Sequence, residues 1–141
     1  MVTRASEMPV ILVAEDELLL ATELEDTLQH AGYACGGPVA TLSDALRLLR
    51  AGHFDAAVFD IQLRHGENVY PAAELAAARG IPFLFLTAYS DVHLDRRFAG
   101  HPVLHKPFSP AELVLAVEGL ISPASAAKVL NGPIARPERR S

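Results

Sequence analysis

A single α/β domain, in which helices cover both faces of a parallel sheet, is what the sequence predicts, and three observations predict it. Short unbroken apolar runs recur along the chain, the pattern of strands covered on both faces. Between them stand segments with apolar residues at helical spacing, and parallel neighbours require such crossovers. A length of 141 residues with 50% hydrophobic content suffices for one core without disulfide or metal staples.

Residues 1–8 are expected to be a flexible leader. Val10-Ile11-Leu12-Val13-Ala14 forms the first strand and ends in Glu15-Asp16-Glu17. Ala21, Leu24, Leu28 and Ala31 then recur on one helical face, with Gly32 as the stop. Tyr33 to Gly36 makes a short second strand before the Gly36-Gly37-Pro38 breaker, and its small residues suit a sheet edge. Thr41 and Asp44 form a capping pair for a second helix that buries Leu42, Ala45, Leu46 and Leu49. Ala56 to Phe59 is the third strand, with Asp60 at its carboxyl end. After a loop at residues 64–68, Val69, Ala73, Ala76 and Ala77 line a third helix that stops at Gly80, with Pro71 confined to its first turn.

Phe83-Leu84-Phe85-Leu86 is the fourth strand and ends at Thr87. Residues 91–99 allow at most two turns of a fourth helix. Pro102 to His105 forms a short last strand ending at Lys106-Pro107. Ser109-Pro110-Ala111-Glu112 is a helix start, with cap, proline at the first position and glutamate at the third. Leu113, Val114, Ala116, Val117, Leu120 and Ile121 supply that fifth helix's buried stripe. Residues 122–141 are expected to be a flexible tail with no output domain. Five strands and five helices within residues 9–121, joined by right-handed crossovers, fit a flavodoxin-like doubly wound sheet of order 2-1-3-4-5.

Composition excludes several function classes. A net charge of -5 with scattered basic residues argues against nucleic acid or an acidic membrane surface as the principal partner. No apolar run approaches the roughly 20 residues of a spanning helix. The one cysteine, Cys35, cannot form an internal disulfide and no leader of the secretory type opens the chain, so a cytoplasmic location is expected.

In doubly wound sheets ligands gather beyond the carboxyl ends of the strands. Those ends carry Glu15 and Asp16, then Asp60, Thr87 and Lys106. Three carboxylates in one crevice repel each other unless protonated or bridged by a cation, and an oxygen-only donor set suits Mg²⁺. No histidine or cysteine pair at ligand spacing points to zinc. The same residues supply what phosphoryl transfer to a carboxylate needs: Asp60 as nucleophile, Mg²⁺ and Lys106 to balance charge, and Thr87 as hydroxyl donor. The plainer alternative is that Glu15 and Asp16 cap the first helix, Thr87 caps the fourth, and Lys106 is a solvated cation at a turn.

Taken in order, the pair Glu15-Asp16, then Asp60, Thr87 and the dipeptide Lys106-Pro107 resemble the receiver domain of two-component response regulators, and the resemblance runs from about Pro9 to Ile121. It implies that Asp60 accepts a phosphoryl group from a histidine kinase or a histidine phosphotransferase, and that the chain relays it onward, acts as a phosphate sink or binds a downstream protein target when phosphorylated. It further implies that Glu15, Asp16, Asp60 and the main-chain carbonyl of Gln62 hold Mg²⁺ and that the Lys106-Pro107 bond is cis. The stretches Gly80 to Tyr89 and His105 to Pro110 are most similar to stand-alone bacterial receivers. Enzymatic turnover is not implied beyond slow hydrolysis of the chain's own aspartyl-phosphate. The oligomeric state is left open between monomer and weak dimer.

The sequence also departs from that family. Val103 stands where an aromatic in strand five usually moves with the phosphorylated site, so Tyr89 is expected to take over as the switch residue. Arg64 replaces a common proline in the loop after Asp60, which carries His65, expected to be solvated. A reduced fourth helix puts output through the usual face of helix four, strand five and helix five in doubt. Gln62 and Tyr89 are expected to tune phosphoryl lifetime more than acceptor capacity. Two other classes compete: a haloacid-dehalogenase-like phosphatase, in which Gln62 stands where a leaving-group acid is needed, and a receiver-like binding module that works without phosphorylation.

Overall fold

The computed structural model describes residues 8–88 and 94–122. Five parallel strands form one sheet in the order β2-β1-β3-β4-β5, with β1 at Val10–Ala14, β2 at Ala34–Val39, β3 at Ala56–Asp60, β4 at Phe83–Thr87 and β5 at Val103–His105. The α-helices among the described residues are α1 (Leu18–His30), α2 (Leu42–Ala51), α3 (Tyr70–Ala78) and α4 (Pro110–Ile121). The expected doubly wound sheet and strand order are therefore present.

Burial explains why these segments are strands. All five residues of β3 and of β4 are buried, because apolar helices lie on both sides. On one side α2 and α3 pack Ala45, Leu49, Ala72, Ala73 and Ala76 against Leu12, Phe59 and Phe85. On the other, α1 and α4 pack Leu24, Leu28, Leu113 and Val117 against Ile11, Val58 and Leu84. The α3 stripe thus runs through Ala72, with Val69 as the N-cap and Ala77 exposed, a shift from the expected face. Ala31 likewise is the exposed C-cap of α1.

Two elements differ from expectation. Strand β2 continues through the Gly36-Gly37-Pro38 breaker to Val39. Gly37 takes φ +88, where an added Cβ would lie 2.8 Å from the Val39 amide nitrogen, so glycine permits a bulge. The bulge lets pairing resume at Ala14 with Val39 and seats the Glu15 amide 2.9 Å from the Val39 carbonyl. The expected fourth α-helix is reduced, in its described part, to a single 3-10 turn at Arg96–Phe98. Asp95 and Ala99 are both extended at its ends, and the Asp95 side chain takes up the Arg97 amide; Phe98 is drawn into the core instead.

Helix α4 begins as expected. Ser109 accepts from the Glu112 amide and Glu112 accepts from the Ser109 amide, with Pro110 in the first turn. This box fixes the chain directly after Lys106-Pro107.

Candidate functional site

Strands β1 and β3 are direct neighbours, paired up to Ala14 with Phe59. Their next residues, Glu15 and Asp60, therefore emerge side by side. Glu15 and Asp60 are buried and Asp16 half-buried. One carboxylate oxygen from each of the three lies within 4.8 Å of the others. Thr87 ends β4 in the buried interior, and β5 pairs beside it up to Thr87 with His105. The Lys106 amide then donates to the Thr87 carbonyl at 2.8 Å, and Lys106-Pro107 is a cis peptide.

The Lys106 ammonium spans the acids. It donates to Asp60 Oδ2 at 2.9 Å and lies 3.1 Å from Glu15 Oε1. The second contact is an ion pair without hydrogen-bond alignment, so the buried Oε1 keeps an unused acceptor direction. The other oxygens are held by main chain: Glu15 Oε2 accepts from the Glu17 amide at 2.9 Å, and Asp60 Oδ1 accepts from the Gln62 amide at 3.2 Å. This last bond was not legible in the sequence, which marks Gln62 only through a family motif.

Charge and burial act against each other here. Burial, with Asp60 beside it, pushes the Glu15 carboxyl from its ordinary 4.5 up to about 7, against the Glu17 amide and Lys106, which pull it down. Burial would lower Lys106, but its hydrogen bond and attraction to Asp60, then the pull of Glu15, outweigh it and the net shift is upward. Desolvated acids short of positive charge are what a hard divalent ion relieves. The oxygen-only donors and the unaligned Glu15 Oε1 fit Mg²⁺.

The plainer alternative fails for two residues. Lys106 is not a solvated cation, since its side chain is only 18% exposed between two acids. Glu15 does not cap α1 through its first helical amides; its carboxylate meets the amide of Glu17, itself the N-cap, and α1 has no side-chain cap bond. His65, on the 3-10 turn Arg64–Gly66, is exposed as expected. Tyr89 lies outside the described residues, and so do residues 91–93 of the segment expected to form the fourth helix. Val103 packs against the core as an aliphatic residue.

The family model for the response regulator receiver domain matches residues 11–118. The transcriptional regulatory protein PdtaR of Mycobacterium tuberculosis is 30% identical over 128 residues, covering 89% of this chain; the chain spans 62% of PdtaR. The solution structure of SdrG from Sphingomonas melonis Fr1 is 43% identical with a TM-score of 0.73, covering 81% of this chain and 97% of that one. A BeF3-activated conformation of SdrG, from Pseudomonas melonis Fr1, is 43% identical with a TM-score of 0.69, covering 82% of this chain and 98% of that one. These matches decide between the receiver and the phosphatase that the same acid, threonine and lysine left open. By fold, by the gathering of acids and lysine at its strand ends, and by sequence, the chain belongs to the response regulator receiver domains.

Proposed function

We propose that the chain signals by accepting a phosphoryl group on Asp60, delivered by a histidine kinase or a histidine phosphotransferase, and that protein partners read the phosphorylated form. The observation that carries this reading is the contact between Lys106 and Asp60 at 2.9 Å inside an acidic cluster at the carboxyl edge of the sheet. An Asp60 carboxylate oxygen attacks phosphorus, the bond from phosphorus to the donor atom breaks, and the donor keeps the electron pair. Glu15, Asp16, Asp60 and the Gln62 carbonyl would hold Mg²⁺, which supplies charge neutralisation for the transferring oxygens. Lys106 balances the charge added at Asp60, and Thr87 supplies a hydroxyl to a phosphoryl oxygen.

A docking surface for the donor lies beside this edge. A groove of about 820 Å³ is lined by Leu20, Leu24, Lys106, Pro107, Phe108 and Leu113. Leu19, which also lines it, and the adjoining Leu18 stand 69% and 81% exposed. An apolar helix face on the donor would bury these leucines and bring its phosphohistidine to Asp60.

The working unit is taken as residues 9–121, and turnover of external substrates is not part of this reading. No described helix is long and apolar enough to cross a membrane. Incubation with Mg²⁺ and acetyl phosphate tests the acceptor role. Intact mass should rise by one hydroxylamine-labile phosphoryl group in wild type, and not in Asp60→Asn or in the presence of EDTA. Equal labelling of Asp60→Asn would sink the assignment.

A further inference from the structure

Position 103, where the family usually carries a moving aromatic, is Val103, yet one aromatic side chain joins the Asp60 loop to the segment after β4. We infer that Tyr70 is the positioning residue that transmits the state of Asp60 to residues 94–98. The inference rests on Asp60 being the phosphoacceptor.

The loop leaving Asp60 is closed on itself. The Val69 amide donates to the Ile61 carbonyl at 2.8 Å, the Leu63 amide donates to the Glu67 carbonyl at 2.8 Å, and Gln62 pairs with Asn68 in an antiparallel bridge. Ile61, Leu63 and Val69 are buried beneath it. Such a loop moves as a unit more readily than it deforms. Its incoming end is tied to the acceptor through the Gln62 amide on Asp60 Oδ1. Its outgoing end is Tyr70, whose amide donates to Asn68 Oδ1 at 3.1 Å.

The Tyr70 ring then reaches across to the segment that follows β4. It stacks on Phe98 with centroids 5.4 Å apart and meets the edge of Phe85 at 5.9 Å. Its hydroxyl accepts from the Asp95 amide at 3.2 Å. Asp95 in turn holds Arg97 through a two-point contact, and Arg97 also pairs with Glu74 of α3. A displacement at Gln62 therefore has a continuous route, through Asn68 and Tyr70, to half-buried Asp95 and its exposed neighbours Arg97 and Glu74. Phosphorylation must disturb its first link, because an Asp60 oxygen bonded to phosphorus in an acyl phosphate, or standing next to one, is a different acceptor for the Gln62 amide.

Amide NMR of the full chain, with and without Mg²⁺ and beryllium fluoride as phosphoryl mimic, tests this on wild type, Tyr70→Phe and Asn68→Ala. Wild type should shift both at Gln62 and at residues 94–98. Tyr70→Phe keeps the ring and its stacking and removes the hydroxyl, so the Gln62 shift should persist while the response at 94–98 falls about fivefold, the worth of one hydrogen bond. Asn68→Ala cuts the route one link earlier and should give the same separation. A merely structural Tyr70 would alter the melting temperature of Tyr70→Phe but leave the response at 94–98 intact, and that result overturns the inference. A wild type that shifts at Gln62 and not at 94–98 also overturns it, alone. A wild type with no shift at Gln62 removes the phosphoacceptor reading itself, and the inference with it.

Discussion

Lys106 sets one ammonium against two carboxylates, and the arrangement is asymmetric: hydrogen-bonded to Asp60, charge-paired without alignment to Glu15. Replacing it by methionine keeps an apolar stem and removes the charge, leaving two acids facing each other. Lys106→Met should lose about 1–3 kcal/mol at neutral pH in urea unfolding. A variant as stable as wild type would mean that desolvation cancels the ion pair. Glu15 gives a pH signature of definite sign. Its carboxyl titrates near 7 in the fold against an ordinary 4.5, so between those values the folded chain keeps a proton that the unfolded chain releases. The stabilising difference is full below the lower value, shrinks as pH rises through the window and is gone above the upper one. Glu15→Gln should flatten that part of the stability profile. Because Mg²⁺ needs the carboxylate free, its affinity should rise about tenfold from about pH 6 to about pH 8 in calorimetric titration; equal affinities would remove Glu15 from the metal site.

At the scale of elements, β2 passes close against an aromatic ring. A Cβ added at Gly36 would stand 2.4 Å from Phe54 Cε1, and Phe54 is itself buried. Gly36→Ala should cost about 1–3 kcal/mol, seen as a lower urea midpoint with an unchanged slope. An unchanged midpoint would show that the ring swings aside freely. This strand also marks the limit of local sequence reading. The apolar runs of β1, β3 and β4 were legible because burial on both faces leaves an unbroken hydrophobic string. Gly36-Gly37-Pro38 read as a stop, since nothing local shows that a bulge against Ala14 lets pairing continue. The capping chemistry of Thr41 and Ser109 was legible for the opposite reason: its partners lie three residues away. The reduced fourth helix was visible only as weak periodicity; extended backbone at Asp95 and Ala99 bounds its described part to one turn.

On the scale of the whole molecule, the acidic cluster was legible because a doubly wound sheet turns scattered strand ends into neighbours: β1 and β3 adjoin, and Lys106 arrives from the far side of β4. Tyr70 was not, because its meaning lies in a contact with Asp95 across 25 positions of chain. A fold that carries repelling acids should gain stability from the ion that relieves them. Mg²⁺ at ten times its dissociation constant should add about 1.4 kcal/mol to unfolding, and an Asp16→Ala, Asp60→Asn double variant should gain almost none. Identical gains in both proteins would point to a site elsewhere. The sheet's rims carry a further consequence. One rim is β5, only three residues long; the other is β2, kinked by its bulge and interrupted by Pro38, which has no amide hydrogen to offer. Neither described rim presents a straight ladder on which a foreign strand could grow. The domain is thereby guarded against fibrous polymerisation by strand addition, and copies crowded at high concentration should meet through helices and loops while each sheet stays closed to the next.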